Sequence, residues 1–364
     1  MENMEEYRQE INEIDEQMAA LFERRMNVSR KVAAYKKEKA LPIKDSVREN
    51  RIIAKGCERI SDPEVEHYYV GFQRNVMDLS CAYQERLLKG LKVAYSGVEG
   101  AYAHIAARKM FPAGRLIAYS SFEAAYKAAV EGEVDCAVLP LENSYAGEVG
   151  AVMDLAFSGP LYINRVCNLE IDHSLIALEE AEPGDIRTVV SHSQALSQCD
   201  EFIKKHGFET KEYPNTARAA KFVKECGDVS VAAIASAQTA EIFGLKILEH
   251  KINTSRNNSS RFAVFSRVQH LPVPSKDVRN NFILVFTARN EAGSLAMTLD
   301  IIGAHGFNLR NMKSRPMKDL LWNYYFYVEG EGDINTENGR NMLKELSALC
   351  AKLKLVGAYT EEDN

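Results

Sequence analysis

The sequence predicts a multidomain protein with three segments of different fold class: an all-α segment over residues 1–90, a doubly wound α/β segment over 91–270, and a ferredoxin-like α+β segment over 280–364. Three observations carry this. Before residue 91 the apolar positions Tyr7, Ile11, Ile14, Met18, Leu21, Phe22 and Met26 recur at close to 3.5 residues, the repeat of a long helix with a packed seam. From Leu91 onward, short β-rich runs alternate with amphipathic helices. After the Pro-containing stretch 268–281, which reads as a linker, the order becomes strand, helix, strand, strand, helix, strand.

Composition narrows the function classes. A chain of 364 residues exceeds a single core, and its 46% hydrophobic and 26% charged content is that of a globular protein. A net charge of −6 argues against a nucleic-acid partner. The acidic start "MENMEEYRQE" is neither a signal nor a transit peptide, and no apolar run nears the roughly 18 residues of a membrane span. The 7 cysteines (Cys57, Cys81, Cys136, Cys167, Cys199, Cys226, Cys350) are scattered and never spaced C-x-x-C. That usage fits reduced thiols in a cytoplasm, with no disulfide framework and no metal site. No segment implies a cofactor.

In the first segment one helix runs to about Lys39 and stops at the Leu41-Pro42 step; a second covers about Ser46 to Ile60 and a third about Pro63 to Leu88. Arg25 and Lys36 are about three turns apart, so they share a face. Asp45, Arg48 and Glu49 fall at i, i+3 and i+4, and Ser80 and Gln84 are one turn apart. These sets suit a cationic pocket with a few neutral donors, although solvated charges and helix caps would have the same spacing. Arg8 lies about 25 Å along the axis from Arg25, so if it is functional it acts in a partner's pocket, in a dimer built on the heptad stripe.

On those eight residues the segment resembles the all-helical class of chorismate mutase, an intertwined helical dimer. The resemblance implies that Arg8 (from the opposite copy), Arg25 and Arg48 hold the substrate's carboxylates. It also implies that Lys36 and Gln84 approach the ether oxygen, while Asp45 and Glu49 attend the ring hydroxyl and orient neighbours; Ser80 matches the family's pattern as well. The rearrangement of chorismate to prephenate needs no nucleophile or proton transfer, only a folded dianion and stabilisation of charge on the breaking ether.

In the α/β segment the strand-end loops "SGVEGAY" (96–102), "PLENS" (140–144) and "SHSQALSQC" (191–199) each lead into a helix and aim backbone N–H groups at one region. Ordinary βα turns and N-caps would look similar. The stretch "INTSRNNSSRFAVF" (252–265) changes abruptly from a polar and cationic run into a buried strand. Through "AVLPLENSYAGEV" at Glu142, Asn143 and Ser144, "HSQALSQC" from His192, and "NNSSRF" with Ser260 in a threonine position, the segment resembles prephenate dehydratase. That resemblance implies two α/β lobes with a cleft between them, the chain leaving after about His173 and returning near His250. Arg261, with Arg256 as a second choice, would anchor a carboxylate, and Ser260 would help hydroxide leave, assisted by Glu142 or His192.

The C-terminal segment resembles an ACT regulatory domain. Its phenylalanine-binding elements map to Gly293, Ser294 and Leu295, to Lys313, Ser314, Arg315 and Pro316, and to Asn308 and Leu309. Taken together, the sequence reads as a cytoplasmic homodimer or dimer of dimers. It would convert chorismate to prephenate and then to phenylpyruvate, with phenylalanine as effector. Two alternatives stay open: an α/β segment that only binds a ligand, and a dehydratase that prefers arogenate.

Overall fold

The computed structural model describes residues 4–145, 147–255, 257–269, 279–317 and 324–361. The chain forms two compact units, Met1–Leu91 and Lys92–Asn364.

The first unit is all-helical: α1 (Met4–Glu38), α2 (Ser46–Cys57) and α3 (Pro63–Lys89). Their ends follow from local chemistry. Beyond α1, Ala40 takes φ 51 ahead of Pro42. Asp45 caps α2 by accepting from the Arg48 backbone N–H at 3.0 Å. Asp62 caps α3 with Pro63 in its first turn, and Gly90 closes it at φ 77. α2 stops one turn earlier than the sequence suggests. The apolar stripe Tyr7, Ile11, Ile14, Met18, Leu21 and Phe22 runs along α1 exposed to solvent.

The second unit begins with a lobe of β1 (Lys92–Ser96), α4 (Tyr102–Met110), β2 (Arg115–Tyr119), α5 (Phe122–Glu131), β3 (Cys136–Asn143), β4 (Gly147–Glu148), α6 (Gly150–Ser158) and β5 (Tyr162–Glu170). The chain then crosses into a second lobe of β6 (Ser174–Ala177), β7 (Thr188–Ser191), α7 (Ser193–Gln198), α8 (Asp200–His206), β8 (Glu209–Glu212), α9 (Thr216–Cys226), β9 (Val231–Ala235), α10 (Ala237–Phe243) and β10 (Lys246–Glu249). It returns through β11 (Ser259–Ser266) into the first lobe, and continues as β12 (Arg279–Thr287), α11 (Ser294–Ala304), β13 (Asn308–Pro316), β14 (Tyr324–Glu331), α12 (Glu337–Leu349) and β15 (Lys352–Glu361).

The sheets are mixed, where the sequence predicts mainly parallel ones. In the first lobe β1 pairs parallel with β2 and β3, but β11 runs antiparallel between β3 and β5. In the second, β7 is parallel to β8 and β9, while β6 is antiparallel to β9 and β10. The strands that enter or leave a lobe supply the antiparallel pairs, because a crossing chain is not turned round by a βα unit. The amphipathic run over residues 195–207 is divided between two helices, broken at Cys199.

β12 to β15 form an antiparallel sheet in the order β13-β14-β12-β15. β15 pairs with β5 at Gly357 and Ile163, making one ten-stranded sheet with the first lobe; most of the stretch 268–281, which the sequence suggests as a linker, lies outside the described residues. Both faces are covered. Phe282, Leu284 and Phe286 pack with α11 and α12 residues such as Ile302, Met342 and Leu346. The alternate residues Ile283 and Val285 join Tyr325, Tyr327 and Tyr359 in the first lobe's core. Phe157 of α6 stacks on Tyr325 at 4.2 Å. Lys354 donates to the Ala156 and Leu161 carbonyls at 2.9 and 3.3 Å, and burial pulls its amine down to about 8.

A Cβ at Gly357 would collide with the Ile163 carbonyl oxygen, so only glycine allows this strand contact. Gly357→Ala is expected to lower stability by about 1–3 kcal/mol through overpacking. Gly184→Ala, with nothing within 4 Å of the added methyl, is the control. Thermal melts followed by circular dichroism compare the two.

Candidate active sites

The helical unit holds a pocket of about 530 Å³ lined by Arg25, Lys36, Asp45, Arg48, Glu49, Ser80 and Gln84. Every polar residue singled out from this segment is there except Arg8, which is exposed on α1 and outside the lining. Arg25 bridges α1 to α3, donating to Ser80 Oγ and to the Val76 carbonyl at 3.1 Å. Burial draws its guanidinium below the usual arginine value. Lys36 reaches across to the Ile43 carbonyl, while Asp45 spends one oxygen on the α2 cap. Cys81 lies 3.8 Å from Glu49, and burial, then that carboxylate, pushes its thiol up. The Gln84 amide oxygen is buried with no partner in the pocket wall. Cations from α1 and α2 face neutral groups on α3, an arrangement that can hold a compact dianion and satisfy one more polar atom.

A second cleft, of about 330 Å³, opens between the two α/β lobes. Glu142, Asn143, His192 and Ser260 line it, as do Tyr102, His173, Gln194, Gln198 and Thr216. Asn143 Nδ2 donates to Ser260 Oγ at 3.0 Å and to the Asn258 amide oxygen at 2.9 Å. The Ser260 hydroxyl therefore accepts from Asn143 and keeps its own hydrogen for another acceptor. His192 caps α7, its Nδ1 accepting from the Gln194 N–H at 3.3 Å, so the neutral ring carries its hydrogen on Nε2. The N-termini of α4 and α9 also border the cleft, through Ala101 and Tyr102, and Asn215 and Thr216.

Sequence reasoning missed Gln198. It is buried, its amide oxygen sits 2.8 Å from His173 Nε2, and its Nε2 has no partner. His173 is held in turn by the Tyr102 hydroxyl at 3.0 Å, and burial lowers its pKa, keeping the ring neutral. A signal was present: Gln194 and Gln198 are i, i+4 partners in the quoted "HSQALSQC", one face of one turn.

Two expected cleft residues lie elsewhere. Ser144 ties the return segment, donating to the Asn257 carbonyl at 3.0 Å and accepting from the Ser259 N–H at 2.9 Å. Arg261, expected at a substrate carboxylate, is absent from the lining. Successive strand residues face opposite ways, so Ser260 and Phe262 look into the cleft and Arg261 looks toward the C-terminal sheet. There it donates to Glu142 at 2.7 Å, Glu329 at 2.8 Å and the Tyr359 hydroxyl at 3.1 Å. Lys313 holds the other Glu142 oxygen at 2.8 Å. Burial works to raise the Glu142 pKa, but the Lys313 and Arg261 contacts outweigh it and hold the carboxyl below its usual range. Arg256 lies outside the described residues.

The C-terminal residues divide by position. Gly293 (φ 85) caps α11, Ser294 is buried and Leu295 packs on the core. This turn follows the end of β12 near Thr287, the end of the sheet where Pro316 pairs with Tyr324. Asn308 and Leu309 pair with Glu331 and Gly330 at the opposite end, about 25 Å along β13. Ser314 and Pro316 are exposed, whereas Lys313 and Arg315 turn their side chains to the first lobe. One copy therefore does not gather this set. Among the described residues no group of His, Cys, Asp and Glu could hold a metal, and no helix is long and apolar enough to cross a membrane.

Known proteins resemble both units of the chain. The type II chorismate mutase family matches residues 7–85 and the prephenate dehydratase family matches residues 93–270. A bifunctional chorismate mutase/prephenate dehydratase of Buchnera aphidicola is 30% identical over 98% of this chain and 96% of its own. One from Aquifex aeolicus is 30% identical, covering 99% and 98%. An arogenate dehydratase/prephenate dehydratase of Arabidopsis thaliana is 31% identical over 74% of this chain and 72% of its own. Among solved structures, a protein described as a quorum quenching acylase superposes with TM-score 0.69 at 27% identity, covering 74% of this chain and 98% of its own. A prephenate dehydratase from Arthrobacter aurescens in complex with L-Phe gives 0.68 at 24%, covering 74% and 90%.

The ion pairs at Glu142 set a pH dependence. A carboxylate with a depressed folded pKa contributes stability above its unfolded value, near 4.5, and that stability is lost as pH falls through the folded value. Glu142→Gln should lower stability by about 1–3 kcal/mol at pH 7. The deficit should shrink as pH falls below about 4.5 and on through the lower folded value, where the wild-type carboxyl also becomes neutral. Urea midpoints at the two pH values measure it.

Proposed function

Since the chain belongs to the bifunctional chorismate mutase/prephenate dehydratase family, we propose that its helical pocket is the mutase site and its inter-lobe cleft the dehydratase site. The chain converts chorismate to prephenate and prephenate to phenylpyruvate. What carries the assignment of sites is the convergence of Arg25, Lys36, Arg48, Glu49, Ser80 and Gln84 from three helices on one pocket.

In the mutase pocket Arg25 and Arg48 bind the two carboxylates, fixing the folded conformer from which the rearrangement proceeds. Lys36 and the Gln84 amide face the ether oxygen as its bond breaks and negative charge grows there. Arg8 reaches the pocket of a second copy in a homodimer formed through the exposed α1 stripe.

In the cleft the C–O bond to the ring hydroxyl breaks as carbon dioxide leaves, so the departing hydroxide must receive a proton. Ser260 passes the hydrogen that Asn143 leaves free to the departing hydroxide, which leaves as water, and solvent water reprotonates the serine oxygen; His192 Nε2–H, in the lining of the same cleft, is a further hydrogen-bond donor to the bound dianion. Glu142 does not supply that proton, since Lys313 and Arg261 hold it ionised. With Arg261 engaged elsewhere, the prephenate carboxylates meet the Gln198 amide and the N-termini of α4 and α9. The C-terminal βαββαβ domain is an ACT domain that senses phenylalanine, a reading supported by the L-Phe bound to the Arthrobacter relative. The protein works in the cytoplasm.

Purified enzyme given chorismate should accumulate phenylpyruvate, and phenylalanine should slow it. Lys36→Met should cut mutase turnover by about 100-fold or more, with added prephenate still consumed. Ser260→Ala should lower dehydratase kcat by about 100-fold, whereas Ser260→Thr, which keeps the hydroxyl, retains activity. Prephenate that accumulates unconsumed would contradict the cleft assignment; an arogenate arm reports the preferred substrate.

A further inference from the structure

The C-terminal sheet sends two cations into the first lobe. On β13, Lys313 and Arg315 are two residues apart and share a face. Lys313 pairs with Glu142 at 2.8 Å and Glu148 at 3.6 Å, and Arg315 pairs with Asp154 at 3.1 Å and Glu148 at 3.7 Å. The fit is specific: a Cβ at Gly150 would collide with the Arg315 guanidinium. From β14, Glu329, with a side chain only 4% exposed, completes the pairing of Arg261.

These contacts bear on the cleft through the β3–β11 ladder. Arg261 faces Glu142 there, and the next pair is Ser260 with Asn143. On the other side of the Arg261–Glu142 pair the register shifts at a bulge between Arg261 and Phe262. A bulge interrupts the regular hydrogen-bond ladder, so the side chains around Glu142 hold the local register. Glu142 is also the member of the set that lines the cleft.

We propose that Lys313, a C-terminal residue, is a positioning residue for the dehydratase reaction: by gripping Glu142 it fixes the adjoining Asn143–Ser260 pair at the geometry that delivers the proton. This rests on the cleft being the prephenate site. Lys313 thereby has an occupation inside the catalytic unit, separate from binding an effector.

The charges around Glu142 are Arg261 from β11 and Lys313 from β13, with His192 across the cleft. Behind them, Glu329 and Tyr359 face Arg261, Tyr327 faces Glu329, and Glu148 and Arg315 face Lys313. Removing the Lys313 charge leaves Glu142 with one cation instead of two. Its protonation then moves to higher pH, and activity falls away at higher pH on the acid side.

The test uses the full chain and initial rates of phenylpyruvate formation from prephenate between pH 5 and 9. Lys313→Met is expected to lower kcat about 10-fold with KM changed less than about threefold. Its acid limb should move up by about one pH unit, and Lys313→Arg should restore most of both. In a Glu142→Gln background, Lys313→Met should add little, because the two act as one unit. Matched melting curves confirm folding, and Lys313→Gln replaces the Met variant if the latter melts early. An unchanged kcat and pH profile in Lys313→Met, or an equal loss in the Glu142→Gln background, would overturn the proposal. Wild-type enzyme that leaves prephenate intact would overturn the cleft assignment itself, and this proposal with it.

Discussion

Arg261 is a guanidinium with only 19% of its side chain exposed, held between two carboxylates and a phenol. A charge in that position is costly unless it is paired. Glu142 comes from the same lobe, but Glu329 and Tyr359 come from the C-terminal sheet, so the first lobe cannot satisfy its own arginine. Breaking a buried pair by removing one partner typically costs about 3–5 kcal/mol, which makes docking of the sheet a condition of a well-formed cleft. The other features of this junction serve the same end. Gly357 and Gly150 allow the close approach, Tyr325 stacks on Phe157, and Lys354 satisfies carbonyls at the end of α6. The sequence expectation that residues 280–364 form a ferredoxin-like unit matches the strand order, yet physically that unit shares a core with the lobe before it.

The helical unit was legible almost to the residue, because its determinants are local. A repeat of 3.5 residues, the Asp45 and Asp62 caps and the prolines at 42 and 63 mark the helices. The pocket residues recur at whole-turn spacings, so their faces follow from sequence. The alternation of strands and helices in the second unit was equally visible. The antiparallel pairings of β6 and β11 were not, since they depend on where the chain crosses between lobes rather than on any strand's own pattern. The motif resemblance points Arg261 at the substrate, but its neighbours Ser260 and Phe262 face the cleft, and period-2 alternation alone turns it the other way. Its partners Glu329 and Tyr359 lie 68 and 98 residues downstream, with no spacing to reveal them. One clue to the docked sheet was present: "FILVF" in β12 has no polar alternation, as expected of a strand buried on both faces.

The two sites solve different electrostatic problems. The rearrangement moves no protons, so its pocket needs only fixed cations and donors on rigid helices. The dehydration must deliver a proton in a cleft that also binds a dianion. It keeps its carboxylate neutralised by two cations, its histidine aligned as an N-cap, and its serine oriented by an amide. Glu142 belongs to both the cleft and the buried ion pairs, so its charge state reports on whether the junction is formed.

The most direct measurement is the titration of the Glu142 carboxyl by carbon-13 NMR of glutamate-labelled protein, assigned against the Glu142→Gln variant. The structure predicts a midpoint clearly below the ordinary glutamate value near 4.3. A midpoint at or above that value would mean that Lys313 and Arg261 do not grip the carboxylate in solution, and the coupling of the C-terminal sheet to the cleft would be contradicted.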